Sequence, residues 1–185
     1  MNPTNPQFIN SVRAGLQHWL AQTADESEAH ILWLDGERLN LMRVLDYGRE
    51  LPQLRPQTAQ LILQCFTLVE RRGYGKEWIP IMRQAADNWA GDDDRLRCQI
   101  LIRLGYLHQL NRQIDTALTI HRQAEQLAQQ LDDLYLFSHT HHNLAIDYRE
   151  KHQYDQAEFY GQLARSGFVE CGDNYRLAIT LNDLG

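Results

Sequence analysis

Residues 101–124 read LIRLGYLHQLNRQIDTALTIHRQA, and residues 141–164 read HHNLAIDYREKHQYDQAEFYGQLA. Laid over each other at an offset of 40, Leu104 falls on Leu144 and then on Leu184, Gly105 falls on Ala145 and Gly185, Ala117 on Ala157, and Ala124 on Ala164. The same offset pairs Gln113 with Gln153, Asp115 with Asp155 and Asp133 with Asp173. Within each stretch a polar turn, Asn111–Asp115 or Lys151–Asp155, precedes a fresh apolar period. The Asp then falls in the first turn of a helix, where its charge favours the helix N-terminus. Small residues at fixed places in such a unit mean two antiparallel helices packed closely, because Gly or Ala admits a neighbour that a larger side chain would repel.

The composition agrees outward from this segment. All five prolines fall at or before Pro80, and Leu, Ala, Gln, Arg and Glu dominate without any alternating run of Val, Ile and Thr. These are residues that lose little side-chain freedom in a helix, so the chain is expected to be all-α. Its 185 residues carry 18 Lys and Arg against 24 Asp and Glu, a net charge of −6. Basic residues are scattered and the balance is acidic, which argues against a nucleic-acid surface. No run of about 18 apolar residues offers a membrane span. The first ten residues show neither a basic start nor an apolar stretch, so no secretory signal is expected and a cytoplasmic location follows by default. Cys65, Cys98 and Cys171 lie too far apart in sequence for a zinc-type pair or a disulfide ladder and read as reduced core residues.

The placing of Leu101, Leu104, Gly105, His108, Ala117 and Ala124, and again of His141, Leu144, Ala145, Tyr148, Ala157 and Ala164, resembles the tetratricopeptide repeat. A third unit opens with Leu181, Leu184 and Gly185. The chain departs from that pattern at His108, His121 and Gly161, where an aromatic is usual, and lacks the closing proline. The 40-residue period, with Asn143 before its Leu-small pair, is similar to the kinesin-light-chain style of the repeat. The resemblance implies a right-handed superhelix of antiparallel helix pairs. A degenerate earlier unit fits at an offset of 39, with Ala85 against Ala124 and Asp94 against Asp133, and with helices over about 57–72 and 76–89. The resulting division is an N-terminal helical capping segment over 1–54, a degenerate pair over 55–94, repeats over 95–134 and 135–174, and the opening helix of another over 175–185. Because Gly185 falls inside a repeat's first helix, the chain is expected to be a fragment of a longer solenoid, and its C-terminal end is a candidate homodimer surface.

The segment up to Glu50 does not repeat. It shows helical periods over about 6–21 and 26–50, the second broken near Gly36. The run from Trp33 through Asp35 and Asn40 to Leu45 resembles the segment that precedes degenerate tetratricopeptide repeats in large bacterial signal-transduction ATPases. That likeness implies a sensor arm of such a protein, or a stand-alone relative.

Candidate chemistry is sparse. His139 and His142 share a helical face at i, i+3, but two imidazoles are too few for a metal site, and His141 occupies a core position. Gly73-Tyr74-Gly75-Lys76-Glu77 lacks both the first glycine of a phosphate loop and the Ser or Thr that would hold magnesium, so it reads as a turn. Asp92-Asp93-Asp94 lies between helices with no ligand spacing for calcium and reads as a linker that caps the next helix. No nucleophile–base arrangement appears, and the expectation is a non-enzymatic protein without cofactor or metal.

Binding by shape remains. Stepping around each first helix from its core positions points to Ile102, Arg103, Tyr106 and Gln109, then to His142, Asn143, Ile146 and Arg149, with Asn182 and Asp183 continuing the row. These residues are the expected concave groove, able to hydrogen-bond a peptide backbone and its carboxylates while burying an apolar anchor. The expected function is a protein- or peptide-binding module, the sensing or scaffolding arm of a bacterial signalling protein. The alternative is an architectural solenoid through which a parent protein self-associates, and a third reading is a small-molecule pocket on the same face.

Overall fold

A computed structural model describes residues 5–91 and 93–184, apart from the side chain of Leu184, so Asp92 and Gly185 lie outside the described residues. Among the described residues the regular elements are helical, as the composition predicts: eleven α-helices and no strand. None of these helices is long and apolar enough to cross a membrane. The chain divides into two compact units, one ending at Arg97 and the other beginning at Cys98.

In the first unit α1 (Pro6–Gln22) starts with Pro6 in its first turn and Asn5 as cap, whose side chain accepts from the Gln7 N–H at 2.9 Å. Proline suits that place because its missing N–H would have had no helical partner. The expected helical run over 26–50 breaks at Glu37 into α2 (Glu28–Gly36) and α3 (Arg38–Glu50). The helix expected over 57–72 is interrupted at Cys65, giving α4 (Arg55–Gln64) and α5 (Phe66–Arg72). The helix expected over 76–89 holds its α geometry only through α6 (Gly75–Gln84), then widens to a π-turn over Ala85–Trp89 in which the Ala90 N–H reaches back to the Ala85 carbonyl. Leu16, Leu34, Leu41, Leu61, Ile62, Trp78 and Met82 are fully enclosed. The Gly73 turn, with φ at +74°, aims Tyr74 at α2, where its hydroxyl donates to Asp35 at 2.5 Å beside the Arg72 Nε at 2.9 Å. The Tyr74 hydroxyl, ahead of Arg72, holds the Asp35 carboxyl below its usual range.

The second unit holds α7 from Cys98 onward (Asp94–Leu110 in full), α8 (Ile114–Gln130), α9 (Leu134–Glu150), α10 (Tyr154–Cys171) and α11 (Asn174–Leu184). Asp94, Leu134 and Asn174 open their helices at the constant offset read from the sequence, as do Ile114 and Tyr154. The backbone repeats with the same step. Asp93, Asp133 and Asp173 each accept from an N–H three residues on, at 2.8, 3.0 and 2.9 Å. The capping aspartate before α7 is therefore Asp93 at an offset of 40, and not Asp94 at 39. Arg112 and His152, both at φ +59°, close the turns after α7 and α9, while Asp132 at +51° and Gly172 at +70° close those after α8 and α10. A non-glycine residue in this left-handed region costs roughly 1–2 kcal/mol, so three such turns depend on the helix packing around them.

Candidate binding cleft

The interior of the second unit is polar at its centre. The His121 ring lies over Gly105, whose missing side chain is what gives it room: a Cβ there would come within 2.2 Å of Nε2. His121 Nδ1 meets Asp147 Oδ2 at 2.6 Å with both side chains at 0% exposure, and Nε2 meets the Ile102 carbonyl at 3.3 Å. Both ring nitrogens of His121 thus have a partner within hydrogen-bond distance. Gln109 Nε2 donates to the other Asp147 oxygen at 2.7 Å and to the Asn143 carbonyl at 3.1 Å, and Asn143 Nδ2 donates to the His139 carbonyl at 2.9 Å. This network ties α7, α8 and α9 together. At the matching positions one repeat later, Ala145 and Gly161 replace Gly105 and His121, so the large ring and the small residue are not repeated there.

A second network seats α8 on α9 and α10. Leu118 packs on the cluster of Leu144, Ala145, Tyr148, Ala157 and Tyr160. Arg122 donates to the Tyr148 hydroxyl at 2.6 Å, to Glu125 at 2.7 Å and to the Tyr160 hydroxyl. The two tyrosine rings stack at 5.4 Å, and His141 Nε2 lies 3.2 Å from Glu125. Burial opposes the Arg122 charge, but its bonds to Glu125, Tyr160 and Tyr148 outweigh that and raise its pKa. Burial likewise works against ionised Glu125, yet the bonds from His141 and Arg122 leave its carboxyl below the usual range.

Along the seam of α9 with α11, Arg176 donates from Nε to the Tyr135 hydroxyl and from Nη1 to His139 Nε2, both at 2.8 Å. His142 pairs through Nδ1 with the Thr180 hydroxyl at 3.1 Å and lies 3.6 Å from Asp183. Burial, then the neighbouring Arg176 and Arg103, pushes His139 well below its ordinary value. Burial pushes His142 down to about 4 against the pull of Asp183. Both rings are thus neutral around pH 7. The accepting nitrogen of His139 is engaged by Arg176, and no group of three or more His, Cys, Asp and Glu is arranged for a metal among the described residues.

Between α9, α10 and α11 opens a cleft of about 500 Å³. This is within the range of small-ligand and peptide-anchor pockets. Four of the sequence-predicted groove residues, His142, Ile146, Arg149 and Asp183, line it. Ile102 at 1% exposure, Gln109 and Asn143 are instead interior, the first in the apolar core and the other two inside the Asp147 network. The first helices are enclosed on more of their circumference than a two-face reading allows, since each packs on a partner helix and on the next first helix. Arg103 and Tyr106 are half-buried and outside the cleft, so Tyr106 is not the exposed aromatic that the helical stepping predicts; Asn182 is exposed and also outside it.

Sequence reasoning missed the α10 wall, formed by Ala157, Glu158, Gln162 and Arg165. The signal was present in the repeat itself: Glu158, Gln162 and Arg165 stand one repeat after Leu118, Arg122 and Glu125, the side chains that seat α8 on its neighbours. Arg165 is exposed and makes no ion pair among the described residues. No known protein-family profile and no curated protein matches the chain.

Proposed function

We propose that this chain is a tetratricopeptide-type solenoid that binds a protein or peptide in the α9–α11 cleft, as a non-enzymatic sensing or scaffolding arm of a bacterial signalling protein. The observation that carries this reading is the cleft's mixed lining. Ile146 and Leu181 offer an apolar anchor site, and Arg149 and Arg165 lie at its sides as donors for carboxylates or backbone carbonyls. The constant step in helix starts, caps and left-handed turns supports the repeat assignment. Affinity capture from native lysate, comparing the wild-type chain with Ile146→Ala/Arg165→Ala at matched helicity, tests it. A partner held by the first and lost by the second supports the cleft; equal capture by both removes it.

The architectural reading has one observation in its favour. Phe159 at 57% exposure and Leu163 at 38% lie one turn apart on α10, where Thr119 and Gln123 stand in the preceding copy. An apolar pair replacing polar ones on an open face is suited to self-association. Light scattering over a concentration series, with Phe159→Ser as control, reads this out, because only a self-associating face gives a mass that rises with concentration and falls on substitution.

A further inference from the structure

One seam of the second unit is built on imidazoles. Along it α9 presents His139 and His142 to α11, where the Arg176 guanidinium and the Thr180 hydroxyl meet them at 2.8 and 3.1 Å. A guanidinium stays charged and has no acceptor, so the His139 Nε2 that receives its hydrogen carries a lone pair and the ring's own hydrogen is on Nδ1. The contact therefore exists only while His139 is neutral. A second proton would set N–H against N–H and bring two positive charges together at a ring that is 8% exposed.

The surrounding groups decide what such a proton does. His139 faces Arg176 of α11, Arg103 of α7, His142 of its own helix and His121 of α8, all of them cationic or neutral. Tyr135, one turn earlier on α9, is engaged as the acceptor of the Arg176 Nε hydrogen. His142 faces Arg176, Arg149 and His121 against the Asp183 carboxylate at 3.6 Å, with Glu158 and Arg165 of α10 lining the cleft beside it. Arg176 has a second partner in reach on its own helix, Asp173 Oδ2 at 3.7 Å from its Nε. In the seam between α7 and α9, one repeat earlier, Gln99, Ile102 and Leu136 hold the places of His139, His142 and Arg176, so the imidazoles belong to the α9–α11 seam alone of the two.

We propose that the seam between α9 and α11 is an acid-released latch, in which a proton taken up by His139 turns Arg176 from α9 to Asp173 and parts α11 from α9. It stands apart from whatever ligand the cleft takes. The sign follows from where the rings titrate. Burial and then Arg176 hold His139 well below its ordinary 6.5, and burial holds His142 at about 4, so the parted seam binds protons more tightly than the closed one and acid favours parting. Between pH 7 and pH 5 His142 by itself multiplies the parted population about twentyfold, from 6.5 when parted against about 4 when closed. His139 acts in the same direction.

Hydrogen exchange read by mass spectrometry on the full chain at pH 7 and pH 5, corrected for intrinsic rates, tests the latch. The α11 amides are expected to lose at least about twentyfold in protection at pH 5 and to exchange ahead of those of α7 and α8. The variant His139→Gln/His142→Asn keeps acceptors for Arg176 and Thr180 that do not titrate, and should cut the loss to less than about threefold. A measurement on the wild-type chain guards against a misfolded variant: heteronuclear NMR should find His139 Nε2 without hydrogen at pH 7, gaining one over the pH range in which α11 loses protection. Unchanged α11 protection at pH 5, or a single exchange rate common to α7, α8 and α11 as in global unfolding, overturns the latch. Hydrogen on His139 Nε2 at pH 7 does so as well.

Discussion

Replacing Gly105 by alanine is the sharpest test of the polar interior around His121. Alanine is the better helix former by about 1 kcal/mol, and in an open helix the change would stabilise. Here the new Cβ would lie 2.2, 2.5 and 2.8 Å from Nε2, Cδ2 and Cε1 of His121, well inside contact distance. The ring cannot swing away as a surface side chain would, because it is fully enclosed and held to Asp147 at 2.6 Å. Displacing it costs about 1–3 kcal/mol of overpacking and a further 1–3 kcal/mol for a buried acceptor left without its donor. After the helix gain is subtracted, the expected net loss is about 1–5 kcal/mol, or roughly 2–20 °C in melting midpoint for a chain of this size. Thermal unfolding by far-ultraviolet circular dichroism measures it. The decisive comparison uses the background His121→Ala/Asp147→Asn, in which ring and carboxylate are both absent. Gly105→Ala should there be neutral or stabilising by up to about 1 kcal/mol, giving a coupling of about 3 kcal/mol. The same cost in both backgrounds, or none in either, would refute the idea that the glycine exists to admit the histidine.

Three further outcomes are expected. The folded His142 titrates near 4 against an ordinary 6.5, so the unfolded chain takes up a proton first as pH falls; stability is full above about 6.5, declines towards 4, and is lower by about 2 kcal/mol at pH 5 from this group alone. His139 shifts the same way, and urea midpoints at pH 7 and 5, with His142→Asn flattening the difference, check the sign. In the first unit, Asp35→Ala removes the acceptor of both Tyr74 and Arg72 and should cost about 1–2 kcal/mol. All four tryptophans lie at or before Trp89, so tryptophan fluorescence in a urea titration reports this loss, which an unchanged midpoint would contradict. Cys65 and Cys98 are core residues as expected, but Cys171, in the last turn of α10, is exposed and not in the core; burial drives the Cys65 pKa up, so a thiol reagent should titrate one cysteine in the native chain and three in denaturant.

The helical class was legible because it depends on local chemistry: which residues tolerate helix, where proline stops, and where a polar turn restarts an apolar period. The repeat step was legible for the same reason, since Leu104 and Leu144, or Ala117 and Ala157, hold equivalent backbone positions. The groove was legible only in part. His142, Ile146, Arg149 and Asp183 line the cleft, but Ile102, Gln109 and Asn143, which share the same register on their helices, are enclosed by neighbours that no helical wheel displays. The breaks at Cys65 and Gln84 were not legible either, because the residues around them are good helix formers and packing overrides that preference.

The sequence by itself determined that the chain is helical, where most helices start and stop, and that one structural step recurs at a fixed spacing, because each of these follows from interactions within a short stretch of chain. Tertiary structure alone decided what the recurring positions do. Gly105 and His121 share one space, and Asp147 is completed by Gln109, 38 positions earlier in the chain. Gln109 and Arg149 hold equivalent places one repeat apart, and both donate to a carbonyl of the next first helix, at Asn143 and Asp183. Burial and partnership depend on which helices meet, and residues distant in sequence acquire a shared function only when packing brings them within hydrogen-bond reach.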